Sequence, residues 1–189
     1  MLFRSEPTTV SAGGLGVVLC GGAMGGLLGP ADGLYQRLGE SLAETGVPVI
    51  RLSYRRPNHL DECVIDVAAC AQLLVGSGVE RVVVMGHSFG GAVAVRAAVA
   101  LPAFVAGVVT FATQSAGCEV AAGLQGRPFL LFHGERDEIL PVEASEMVIA
   151  IAGCGELVRL AGDGHLLAKS GAIIDERLGE WLAGIIARS

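Results

Sequence analysis

Hydrophobic positions along this chain fall into short apolar runs separated by stretches of helical period. Leu15-Gly16-Val17-Val18-Leu19-Cys20, Val47-Pro48-Val49-Ile50-Arg51-Leu52, Arg81-Val82-Val83-Val84-Met85, Val105 to Phe111, Pro128 to Gly134 and Leu157-Val158-Arg159-Leu160 each read as a strand. Between them, Asp32 to Thr45 repeats Leu34, Leu38 and Leu42 and closes on Gly46. From Asp61, a candidate N-cap, Val64, Val67, Ala68, Ala71, Leu74 and Val75 keep the i, i+3, i+4, i+7 spacing of one helical face up to Gly76-Ser77-Gly78. A helix of small residues follows Ser88 to about Leu101. Pro141 opens another, with Ala144, Met147, Val148 and Ile151 inward, and the chain closes on a helix whose Ile174, Leu178, Trp181, Leu182 and Ile185 share a face. Strands alternating with helices through short joins require right-handed crossovers. The pattern therefore predicts an α/β fold, a three-layer α/β/α sandwich with a mainly parallel sheet of about six strands, as a single domain over 1–189. Only 112–127 lacks a period; it is too short for a cap domain and is at most a small flap.

Composition agrees with a sheet covered on both faces: hydrophobic residues make up 52% and charged residues 17%. A formal net charge of −6 argues against nucleic acid as a partner, because phosphate backbones are met by clustered Lys and Arg. The mean hydropathy of +0.59 raises the question of a membrane span, and 11–31 and 97–118 carry no charge over a spanning length. Glycines through the first stretch and Pro102 in the second decide against a lipid-facing helix. Five cysteines without a C-x-x-C pair, and an N-terminus without the charged-then-apolar pattern of a secretion signal, predict a reducing cytoplasm.

The chemistry concentrates at Gly86-His87-Ser88-Phe89-Gly90-Gly91, where a β-branched strand meets a helix. To expose Ser88 Oγ at the end of a buried strand the backbone must turn sharply, and Gly86 and Gly90 stand where a Cβ would clash. The helix N-terminus aims its amides at the same place, where they would stabilise an anion. A serine hydroxyl needs a base within hydrogen-bond reach and a carboxylate to orient that base. Of four histidines, His87 lies within the turn, His133 within or at the end of a strand, and His59 on a loop with two arginines. His165 follows the last strand, on the edge where the other candidate groups emerge, and is the predicted base. Asp137, a few residues past the penultimate strand, is the predicted acid; Glu135, Glu138 and Asp163 compete, with Asp163 better placed to shape the turn before His165. Two loops complete the picture. Gly21-Gly22-Ala23-Met24-Gly25-Gly26 offers backbone amides but matches neither a P-loop nor G-x-G-x-x-G. Tyr54-Arg55-Arg56 lies on the most positive stretch of the chain and could meet an acidic group of a substrate.

Gly86-x-Ser88-x-Gly90-Gly91, His133-Gly134-x-x-Asp137 and Gly164-His165 together resemble the α/β-hydrolase superfamily, in particular its small, cap-less, dienelactone-hydrolase-like members and small esterases. The resemblance spans Leu15 to Ala187, and the chain order Ser88, Asp137, His165 is that of the superfamily. It implies a catalytic set of these three residues and an oxyanion hole formed by the N–H of Phe89 and one from the loop after the first strand, Gly22 or Ala23. Met24, Tyr54, Arg55, Arg56 and His87 are candidate substrate contacts. It also implies that the usual N-terminal hairpin is truncated or absent, since only about 14 residues precede Leu15. Two departures stand out: Cys20-Gly21 replaces the His-Gly that many relatives carry, which leaves the loop donor open among Gly22, Ala23 and Met24, and Ser88 replaces the cysteine of dienelactone hydrolases proper, so lactone specificity is not simply inherited. The implied activity is acyl-enzyme hydrolysis of a small-molecule carboxylic ester or thioester, with no metal or organic cofactor. An acyltransferase, a hydrolase of another bond, or a non-catalytic binding protein would share the fold.

Overall fold

The computed structural model describes residues 2–5 and 14–188. The strands are β1 (Leu2–Ser5), β2 (Leu15–Cys20), β3 (Val49–Leu52), β4 (Arg81–His87), β5 (Val105–Phe111), β6 (Phe129–Gly134) and β7 (Glu156–Leu160). The helices are α1 (Pro30–Glu44), α2 (Leu60–Val75), α3 (Phe89–Ala100), α4 (Glu143–Ala152) and α5 (Gly171–Ile186). They build one sheet in the order β1-β3-β2-β4-β5-β6-β7. From β3 to β7 every pairing is parallel. The three-layer architecture and mainly parallel sheet agree with the sequence pattern.

The seventh strand does not. Leu2–Ser5 pairs antiparallel with β3, Leu2 opposite Leu52 and Ser5 opposite Val49. Leu2–Ser5 thus adds one antiparallel edge strand, and residues 6–13 lie outside the described residues.

Alternation along β4 explains how the sheet is covered. Val82 and Val84 pack into a core shared with α2, α3 and α4, whereas Val83 and Met85 pack into a second core with α1 and α5. All four are 0% exposed, and burying each contributes about 2 kcal/mol, so the strand is a firm base for whatever its C-terminal end carries. Parallel pairing brings the C-terminal ends of β2, β4, β5, β6 and β7 to one edge, the usual place for a site in an open α/β sheet.

Three local expectations change. Asp61 lies in the first turn of α2, whose N-cap is His59; its carboxylate meets Arg96 at 3.2 Å. Met147 is 55% exposed, and the inward positions of α4 are Ala144, Ser145, Val148 and Ala152. The stretch 112–127 includes a short 3-10 turn over 121–124, and Cys118, Ala121 and Leu124 are buried in the core with α3 and α4. Among the described residues, no helix is long and apolar enough to cross a membrane.

Candidate active site

Ser88 sits between β4 and α3 with φ 56° and ψ −119°, a backbone conformation that costs an L-residue about 1–3 kcal/mol. Neighbouring structure holds it there. Its N–H donates to the Phe111 carbonyl at 2.8 Å, and its own carbonyl accepts from Gly91 N at 3.0 Å. The turn closes so tightly that a Cβ on Gly86 would overlap the carbonyl of Gly90, and one on Gly90 would overlap the carbonyl of Gly21. The second collision shows that the loop after β2 lies directly against the turn. Phe89 opens α3, so its N–H is one of the first-turn amides for which the helix has no internal acceptor.

His165 and Asp137 meet. Nδ1 of His165 donates to Oδ2 of Asp137 at 2.7 Å, which leaves Nε2 with the lone pair. The Asp137 side chain is 0% exposed. Burial alone would raise its pKa, but amides of Leu140 and Ile139, both 2.8 Å from Oδ1, together with His165, hold it below the usual carboxylate range. Asp163 shapes the turn before His165: its carboxylate accepts from Gly164 N at 3.0 Å and Lys169 N at 3.1 Å.

Two further histidines border this pair. His133, fully buried on β6, places Nε2 2.9 Å from the Leu140 carbonyl and 3.3 Å from Asp137 Oδ2, and accepts from the Ser145 hydroxyl at Nδ1 across 2.7 Å. Burial lowers its pKa and keeps it neutral. His87 donates from Nε2 to the main-chain carbonyl of His165 at 3.0 Å, with the two rings 4.9 Å apart. Its donor nitrogen therefore serves the loop that carries His165. His133 and Asp137 are four residues apart in the sequence; nothing local pointed to Ser145.

Behind the glycine loop stand two tyrosines. Tyr35 donates to the Cys20 carbonyl at 2.9 Å and Tyr54 to the Gly21 carbonyl at 3.1 Å. Burial raises both phenol pKa values, so both remain donors. In a trans peptide the N–H points opposite to its carbonyl, so fixing the Gly21 carbonyl toward Tyr54 turns the Gly22 N–H away from it. Gly22 is also the loop residue beside the serine: a Cβ there would lie 3.7 Å from Ser88 Cβ. Ala23 is half-buried and Met24 is 94% exposed. Arg55 pairs with Asp66, and Arg56 with Glu62 at 2.7 Å and the His59 ring at 3.2 Å, so both guanidinium groups are tied to α2 or its approach. Tyr54 is buried edge-on against Phe89, ring centres 6.0 Å apart. Tyr35 is the site-supporting residue that sequence reading missed; in the periodic pattern it is one more buried position of α1.

Residues 67–167, more than half of the chain, match the family described as phospholipase/carboxylesterase. No curated protein matches. Among solved structures the fold is similar to Est1E from Butyrivibrio proteoclasticus, at 18% identity and a TM-score of 0.81, covering 98% of this chain and 94% of that one. It is also similar to dienelactone hydrolase from Anabaena variabilis, at 16% identity and TM-score 0.79 with 95% and 88% covered. The monoacylglycerol lipase of Paleococcus ferrophilus is 19% identical with TM-score 0.71, covering 100% of both chains.

Proposed function

The chain belongs to the phospholipase/carboxylesterase family of α/β-hydrolases, and from that premise we propose that it is a serine hydrolase acting on small carboxylic esters or thioesters through Ser88, His165 and Asp137. The observation that carries this reading is the 2.7 Å bond between Asp137 and His165, on a loop fastened to the residue next to Ser88. With Nδ1 protonated and held, His165 Nε2 takes the Ser88 proton as Oγ attacks the acyl carbon. The N–H groups of Phe89 and Gly22, with Ala23 the adjacent alternative, receive the oxyanion; each such donor is worth about 3 kcal/mol to the transition state. Collapse breaks the ester bond, and His165 gives its proton to the departing alcohol or thiol. Water then adds to the acyl-enzyme with His165 again as base, releasing the acid and restoring Ser88.

A small substrate is supported by the burial of Cys118, Ala121 and Leu124, which ties the connection between β5 and β6 down into the core instead of leaving it free to enclose a long acyl chain. In this reading residues 1–189 act as one domain in the cytoplasm. The test is fluorophosphonate labelling together with p-nitrophenyl acetate and butyrate hydrolysis, for the wild type and Ser88→Ala. Labelling and turnover in the wild type, both absent in the variant, are expected; a wild type that does neither overturns the reading.

A further inference from the structure

The loop that carries His165 is held from outside through three of its carbonyls, each reaching a different part of the fold. The carbonyl of Asp163 accepts from Arg136 N at 2.8 Å, that of Leu166 from Ala31 N at 2.8 Å, and that of His165 itself from His87 Nε2 at 3.0 Å. The first two donors are main-chain amides. Only the third is a side chain, and it belongs to the residue that immediately precedes Ser88.

A carbonyl can only accept, so the 3.0 Å contact fixes the proton of His87 on Nε2. His87 is 8% exposed. The groups that face it are His165, Asp137 and His133, and burial, against the His165 carbonyl's opposing pull, brings its pKa down to about 4. Near neutral pH it is therefore an uncharged donor. Its ring also lies against that of His165, centres 4.9 Å apart and planes tilted 49°. His87 thus touches the base at two points, backbone and ring, while its own backbone is continuous with the nucleophile. Asp137 orients the imidazole about its Nδ1; it does not tie the base to β4.

We propose that His87 is a positioning residue that sets the separation between Ser88 Oγ and His165 Nε2 by tying the base's loop to the nucleophile's turn. It touches neither the acyl group nor the transferred proton. The proposal rests on Ser88 and His165 acting as nucleophile and base, so the test needs one readout that involves no turnover. Displacement of a catalytic group by about 1 Å can cost on the order of 100-fold in rate.

Three variants separate the roles: His87→Phe keeps a ring without a donor, His87→Met removes both ring and donor, and His87→Gln restores an N–H at comparable reach. The measurements are kcat and KM on p-nitrophenyl acetate, the fluorophosphonate labelling rate, thermal midpoint, and the downfield proton NMR signal of His165 Nδ1–H. Both donor-less variants are expected to lose about 10- to 100-fold in kcat and labelling rate with KM within about 3-fold, and to broaden the downfield signal. His87→Gln is expected to recover kcat to within about 5-fold of wild type and to keep the signal. Retention of kcat and signal by the Phe and Met variants overturns the proposal. So does a rise in KM at unchanged kcat, which makes His87 a substrate contact, or equal losses in Gln, Phe and Met, which make it a packing residue. If the wild type neither labels nor turns over, the serine-hydrolase reading fails, and the NMR comparison alone decides whether His87 orders the His165 loop.

Discussion

His133 Nε2 lies 3.3 Å from the Asp137 oxygen that His165 reaches at 2.7 Å. With the amides of Ile139 and Leu140 on the other oxygen, the carboxylate is surrounded by N–H groups, and an amide in its place would face donors with a donor of its own. Asp137→Asn is therefore expected to lower kcat by about 10³- to 10⁴-fold with little change in KM, because the His165 tautomer is no longer enforced. Steady-state kinetics on p-nitrophenyl acetate check this; a loss below about 10-fold would remove Asp137 from the proposed set.

The Tyr54 hydroxyl reaches the Gly21 carbonyl at 3.1 Å and so orients the peptide whose N–H is that of Gly22. Tyr54→Phe keeps the edge-on ring against Phe89 and removes only that bond. The expected cost is about 1 kcal/mol in stability by urea unfolding, and about 10-fold in kcat as the proposed oxyanion donor loses its preset direction. Loss of stability with unchanged kcat would assign the second donor to another amide of the loop.

Gly90 lies against the carbonyls of both Cys20 and Gly21, so any side chain there pushes the loop off the turn. Main chain cannot yield as a flexible side chain does. Gly90→Ala is expected to destabilise the protein by about 3 kcal/mol and to abolish fluorophosphonate labelling of whatever fraction folds. Gly184, on the outer part of α5 with no atom within 4 Å of an added Cβ, is the control: Gly184→Ala leaves labelling unchanged. A Gly90→Ala protein that labels at the wild-type rate would contradict this account of the turn.

The elements that sequence patterning reveals are those fixed by local periodicity. The apolar runs of β2, β4, β5 and β6 and the leucine spacing of α1 carry their own signal, and the glycines about Ser88 mark a turn whose crowding is local. Asp137 and His165 meet because consecutive parallel strands deliver their loops to one edge, which follows from topology once the strands are known. What could not be read depends on polar contacts across distant segments. Ser145 turns inward on α4 to reach His133, rotating Met147 outward, and a hydrophobic pattern assigns the inward place to Met147. The Tyr35 hydroxyl under Cys20 and the Tyr54 hydroxyl under Gly21 are equally silent in a periodicity. The edge strand Leu2–Ser5 is four residues long and takes its order from β3, not from an alternation of its own.

Acid should weaken the fold through the same buried histidines. His87 has a pKa of about 4 in the folded protein against 6.5 for an ordinary histidine, and that of His133 is also lowered; burial is the first cause for both. As pH falls below 6.5 the unfolded chain takes up protons that the folded His87 refuses until about 4, so stability declines across that window. Asp137, whose folded pKa is depressed, acts the same way at lower pH: its contribution is present above the ordinary carboxylate value and is lost as pH falls through the folded one. For His87 alone the difference between pH 7 and pH 5 amounts to about 2 kcal/mol. Urea unfolding at the two pH values is expected to show at least that loss in the wild type, and His87→Gln, which has no titrating group at this position, is expected to lose about 2 kcal/mol less. An unchanged difference in the variant would mean that His87 is protonated in the folded state near pH 6, and with it the Nε2–H tautomer would no longer be the only form holding the His165 carbonyl.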